Sequence, residues 1–193
     1  MSMRHKDEKK EQAVVAAAIT LINERGFSEV SIAKIAKEAG VSPATIYIYY
    51  ENKEDMLNKI YISLKTEMSE ALLRGVDTQG NIETGTKQML RNIYQFALAK
   101  PGHFAFCEQF ANSPLIEKIT MEEAMSSFRP VREVFERGVT RGILKDIPFE
   151  VISAFSYQPM IFLAKQQLSG KAEVTGSVFE EAVDLAWDVI SAE

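Results

Sequence analysis

Apolar residues recur at three- and four-residue intervals through most of this 193-residue chain, the spacing that lines one face of an α-helix. Val14, Val15, Ala18, Leu21 and Ile22 form such a stripe and predict a first helix over 7–25, which Gly26 ends and Phe27 turns back upon. Ile32, Ile35, Ala36 and Ala39 predict a short second helix, with Ser31 as its N-cap and Gly40 as its stop. Ser42 then caps a third helix whose first position is Pro43, where a missing N–H costs nothing. Asn52 caps a fourth, with Glu54 and Asp55 in the turn that favours negative charge; it runs through Leu57, Ile60, Tyr61, Leu64 and Met68 to about 73. Beyond a polar loop at 75–80 the pattern predicts helices over about 82–99, 103–111, 114–138, 149–168 and 177–191. Pro101-Gly102 breaks the series, Pro130 predicts a kink or break, and Pro159 a bend. The fold class is all-α, with about nine helices.

The stretch GVSPATIYIYYENK, residues 40–53, holds the most specific signal. At about 100° per residue, Ile46 and Tyr50 share a face with Pro43, while Ala44 and Ile48 point the opposite way and Thr45 and Tyr47 flank them. Its β-branched and aromatic content also suits a short strand. The Ser-Pro start, the helical segments on both sides and the lack of a partner strand favour the helix. An outward isoleucine beside a small alanine is poor design for a plain surface helix. It suits a helix in a major groove, where apolar atoms meet thymine methyls and hydroxyls reach phosphates. With the preceding short helix this is a helix-turn-helix.

Residues 14–57 resemble the DNA-binding domain of the tetracycline-repressor (TetR) family of transcription regulators. Val14, Ala18, Leu21, Ile22, Gly26 and Phe27 fit the family's first helix. Ser31, Ile35, Ala36, Ala39, Gly40, Val41 and Ser42 fit the second helix and turn. Thr45, Ile46, Tyr47, Tyr50, Lys53, Glu54 and Leu57 fit the recognition helix and the next start. Three positions depart from the pattern: Ala33 stands where many members have arginine, Ala44 where glycine is common, and Tyr50 for the usual phenylalanine. The resemblance implies a three-helix DNA-binding domain over 1–53 and a helical ligand-binding and dimerisation domain over 54–193. The candidate DNA contacts are Ser31, Lys34, Ser42, Ala44, Thr45, Tyr47, Ile48, Tyr49 and Lys53.

Charge qualifies this picture. The chain carries 22 Lys and Arg against 27 Asp and Glu, a net of −5, where a DNA-binding domain is expected to be basic. Residues 1–53 hold eight basic against seven acidic groups, so the acid lies mostly beyond them. Lys6, Lys9, Lys10, Lys34, Lys37 and Lys53 remain for phosphates, which predicts salt-sensitive binding. No run reaches the roughly 18 apolar residues of a membrane span, and the N-terminus has no apolar signal core. A cytoplasmic protein is expected, in keeping with a lone cysteine, Cys107.

No glycine-rich phosphate loop, nucleophile elbow or two-cysteine metal pattern is present, so no enzyme activity, metal or cofactor is expected. Of His103, Cys107 and Glu108, the histidine and the thiol share one helix face at i and i+4, but two ligands from one helix do not make a metal site. The resemblance also implies a ligand cavity among the central helices. Its candidate lining is Phe96, His103, Phe104, Phe110, Met125, Phe128, Phe155 and Tyr157, with Gln109 and Gln158 as further polar anchors. Phe162, Phe179, Val183, Ala186, Val189 and Ile190 predict an apolar dimer surface on the last two helices, with Trp187 at its edge. The expected function is a homodimeric repressor that a small apolar or aromatic effector releases from a near-palindromic operator in double-stranded DNA. The alternative is a helical small-molecule-binding protein or metal-dependent enzyme in which the helix-turn-helix is only structural.

Overall fold

The computed structural model describes residues 3–114 and 118–192, with side chains from 8–114 and 121–192. Ten helices occur among them: α1 Met3–Arg25, α2 Ile32–Glu38, α3 Pro43–Tyr49, α4 Lys53–Leu72, α5 Ile82–Ala99, α6 Pro101–Ala111, α7 Lys118–Ser126, α8 Arg129–Thr140, α9 Phe149–Leu168 and α10 Gly176–Ile190. The count exceeds nine because the segment expected as one helix through Pro130 is two. Pro130 sits at the start of α8, where it is harmless; inside a continuous helix it would cost about 3 kcal/mol. Residues 115–117 of that segment lie outside the described residues. Pro159 by contrast stays inside α9, where it removes the N–H that the Phe155 carbonyl would accept.

The helices form two compact units: Met1–Leu64 with Gly102–Ala124, and Lys65–Pro101 with Met125–Glu193. This differs from a single boundary after residue 53, because α4 and α7 are each divided between the units and α6 joins the first.

In the first unit α1, α2 and α3 pack on one another around Val14, Ala18, Ile22, Ile35 and Ile46, all essentially buried. Each of the buried valine and isoleucine side chains contributes about 1.5–3 kcal/mol relative to exposure. The α1–α2 corner depends on α6. Phe27 meets the rings of Phe106 and Phe110 at 5.9 and 5.5 Å, and Tyr61 of α4 meets Phe110 at 5.3 Å. Gly26, at φ +77°, makes the turn that sends Phe27 into this cluster.

In the second unit α5, α9 and α10 pack mutually. Tyr94 stacks on Phe179 at 4.1 Å, and the Arg91 guanidinium grips the Glu180 carboxylate with bonds of 2.6 to 3.1 Å. Asn92 donates its side-chain amide to the carbonyls of Leu72 and Arg74, satisfying acceptors that the end of α4 leaves open. Gly138 of α8 lets Leu144 approach so closely that a Cβ there would lie 2.6 Å from Leu144 Cδ1.

The last two helices differ in detail from the expectation. Phe179, Val183, Ala186, Trp187 and Ile190 are buried inside the second unit. The outward apolar stripe is Val151, Phe155 and Phe162 on α9 with Val178, Leu185 and Val189 on α10; Phe162 is 59% and Leu185 64% exposed. No helix among the described residues is long and apolar enough to cross a membrane.

Candidate nucleic-acid interface and apolar cavity

The turn between α2 and α3 is built by local hydrogen bonds. Gly40, at φ +67°, ends α2 with Val41 N–H donating to Ala36 O at 2.9 Å and Gly40 N–H to Lys37 O at 3.2 Å, a Schellman pair. Two residues on, Ser42 Oγ accepts from Thr45 N–H at 3.2 Å and lies 3.0 Å from the Thr45 hydroxyl. Ser31 caps α2 in the same way, accepting from Lys34 N–H.

On α3, Ile46 is fully buried and Tyr50 nearly so, which anchors the helix and presents its other side. Ala44, Tyr47 and Ile48 are exposed, Ile48 at 76%. Thr45 and Tyr49 are half-buried at the flanks. Burial, reinforced by the nearby Glu11 carboxylate of α1, pushes the Tyr50 pKa up to about 12.

The two candidate lysines are tied to the same loop. Lys53 Nζ donates to Phe27 O at 2.5 Å, and Lys34 Nζ to Glu29 O at 2.6 Å. Partial burial lowers the Lys53 pKa, opposed by neighbouring Glu54. An ammonium has three donors, so each lysine is oriented by one bond and retains donors for an anion.

A cavity of about 220 Å³ lies in the second unit between α4, α5, α8 and α9. Its walls are mostly apolar: Leu72, Met89, Leu90, Met125, Phe128, Val131, Phe135 and Phe149. Ser153, Ser156, Tyr157, Gln158 and Lys65 supply polar groups, and no acidic residue is among the described residues lining it. The Lys65 ammonium lies 4.6 Å from the centre of the Phe128 ring, Tyr157 donates to Met68 Sδ at 3.4 Å, and Ser156 donates to Ile152 O. The void has a local cause. Ser153 and Ser156 follow Phe149 at helical spacing, so two small side chains stand where larger ones would fill the stripe.

Of the cavity residues expected from sequence, this site brings together Met125, Phe128, Tyr157 and Gln158. The others lie elsewhere. Phe104 and Phe110 are buried residues of the first unit, and Phe110 is taken up by the Phe27 corner that α6 seals. His103 lines a wide groove of that unit with Glu11, Tyr49, Tyr50 and Lys59, and Gln109 bonds Asn23. Phe96 borders a polar hollow with Glu67, Arg74 and Lys100, and Phe155 is 55% exposed. Lys65, Phe135, Phe149, Ser153 and Ser156 were missed, although the paired serines on an apolar stripe were a readable sign of vacant volume. Among the described residues no group of three His, Cys, Asp or Glu is placed to hold a metal ion.

Residues 14–60 match the family model described as bacterial regulatory proteins, tetR family, and residues 83–191 match a tetracyclin repressor-like C-terminal domain. An uncharacterized HTH-type transcriptional regulator of Bacillus subtilis, YdeS, is 29% identical over 164 residues, 82% of this chain and 80% of its own. The fatty acid metabolism regulator protein of the same organism is 28% identical over 120 residues, 62% of this chain and 57% of its own. A solved TetR family transcription regulator from Marinobacter aquaeolei VT8 superposes with a TM-score of 0.92 at 28% identity, covering 99% of this chain and all of that one. With both halves matched, one to the DNA-binding helices and the other to the helical domain that follows, the chain belongs to the TetR family of DNA-binding transcription regulators.

Proposed function

We propose that this protein is a homodimeric repressor whose hold on a near-palindromic operator is weakened by a small effector bound in the α4–α5–α8–α9 cavity. The observation that carries the reading is the double use of α4. It starts at Lys53, beside the recognition helix α3, and twelve residues later supplies Lys65 and then Leu72 to the cavity wall. At 1.5 Å per residue, about 18 Å of one helix links the two ends.

The effector follows from the lining. A cavity of about 220 Å³ exceeds the roughly 150 Å³ void that takes up benzene, so it holds a ligand body on the order of ten heavy atoms. Apolar walls with one lining lysine favour an apolar carboxylate, its anionic end drawn to the Lys65 ammonium. The relative named as a fatty acid metabolism regulator supports that ligand class.

The exposed stripes of α9 and α10 form the dimer surface in this reading. An isologous pair would set the two α3 helices about 34–36 Å apart, or a multiple of this, on the DNA.

A reciprocity titration tests the switch. Octanoate is titrated into free protein and into protein saturated with operator selected from random duplexes. A coupling of 1–3 kcal/mol predicts affinities differing by roughly 5- to 150-fold, matched by the factor by which octanoate weakens operator binding. Equal octanoate affinities in both titrations would overturn the switch for this ligand class.

A further inference from the structure

A second cavity, of about 320 Å³, adjoins the first. Phe135 and Phe149 line both. Their rings meet edge to face at 5.6 Å, and the Arg132 guanidinium lies 4.3 Å from the centre of the Phe149 ring on its outer side. Phe149 is the first residue of α9, half-buried, following Pro148 with no side-chain cap to hold the helix start. Its side chain is therefore held by packing against one ring and one cation rather than enclosed in a core.

We propose that Phe149 is a gate between an inner and an outer chamber of a single ligand site, so that the effector is a chain longer than the inner chamber holds. This deepens the proposed effector reading and rests on it. Charge decides which end goes where. The lining cation of the inner chamber is Lys65. The outer one has Arg132, but Glu136 lines it too and Glu150 lies 3.5 Å from Arg132, leaving carboxylates in excess. The anionic end belongs at Lys65, and the tail points toward the gate. Beyond Phe149 the tail meets Val139, Ile147 and Ile152, an apolar bed that gives a reason for it to pass. Octanoate, with ten heavy atoms, fills the inner chamber; opening the gate more than doubles the space.

The test is a series of straight-chain saturated carboxylates from hexanoate to hexadecanoate, titrated calorimetrically into the full-length protein below their micellar concentrations. Burying one methylene strengthens binding by about fourfold. In the wild type the gain per methylene is expected to persist beyond octanoate, after at most a short pause where the gate opens. In Phe149→Trp, with a bulkier gate, the gain is expected to stop near octanoate. In Phe149→Ala the pause disappears. The readout is the trend within each variant, so a uniform loss of affinity does not mimic it, and the alanine variant serves if the tryptophan variant fails to fold. A wild-type series that flattens at octanoate, or the same trend in all three proteins, overturns the gate while leaving the inner-chamber reading intact. If no carboxylate binds, and Lys65→Met leaves that unchanged, the effector reading itself fails and the gate with it.

Discussion

Lys53→Met separates the observed tether of one ammonium from its proposed contact with a DNA phosphate. The Nζ donates to the Phe27 carbonyl at 2.5 Å, which ties the start of α4 to the α1–α2 corner, and its remaining donors are available to a DNA phosphate. Methionine keeps the length of the stem and removes only the charge and the donors. A hydrogen bond to a charged group contributes about 1.5–3 kcal/mol when buried; with Lys53 only half-buried, a loss near 1 kcal/mol is expected. The Phe27 carbonyl then turns to water. Losing one phosphate contact lowers the salt slope, log K against log salt, by about 0.9. Between 50 and 200 mM salt the variant should therefore lose about 3.5-fold less affinity than the wild type. Urea unfolding gives the first quantity and fluorescence anisotropy on a selected operator, across salt, gives the second. A lower stability with an unchanged slope would leave the carbonyl tether as the whole role. An unchanged stability and slope together would refute both assignments.

Other outcomes follow from single contacts. Tyr50→Phe removes a hydroxyl whose pKa rises from 10.0 to about 12; the neutral form is favoured in the fold, so this stabilisation, at most about 2.7 kcal/mol, is complete below pH 10 and lost as pH climbs through 12. Wild-type unfolding free energy should fall across that window more steeply than that of Tyr50→Phe, and parallel curves would contradict the assignment. Gly138→Ala gains about 1 kcal/mol of helix propensity but drives a Cβ to within 2.6 Å of Leu144, an overpacking cost of about 1–3 kcal/mol, so a net loss in melting experiments is expected, and a more stable variant would show that Leu144 yields freely. Leu185→Glu with Phe162→Glu places two charges on the exposed stripes of α10 and α9, the surface of the proposed dimer, and sedimentation should show the double variant monomeric at concentrations where the proposal has the wild type paired; a variant that sediments like the wild type would contradict this interface.

What could be read in advance depended on the range of the causes. The α2–α3 turn was legible because its determinants, Ser31, Gly40, Ser42 and Pro43, act on neighbours within four residues. The limits of α5 followed from the polar loop at 75–80 before it and Pro101 after it, and the Asn81 cap that closes its start was not read in advance. Pro130 announced a break, but periodicity could not say that the helices on either side were separate elements. The placement of α6 was hidden for a different reason. Phe110 looks equally suited to a ligand cavity or a core, and the distant ring of Phe27, reached through the turn at Gly26, decides between them. Lys65 went unnoticed because a lone lysine on a long helix reads as a solvated charge.

The path of the chain between the two units bears on how such regulators can be recombined. It passes from one unit to the other after Leu64, Pro101 and Ala124, so neither unit is a contiguous piece of sequence. A chimera cut after residue 60, where the match to the DNA-binding family model ends, would carry α1 to α3 but leave behind Phe106 and Phe110, and with them the lid on Phe27. A borrowed partner would have to supply its own α6 residues to fit that foreign corner. Grafting a new sensor onto these DNA-reading helices is thus a problem of matching two seams, and the second seam lies some forty residues beyond the obvious cut.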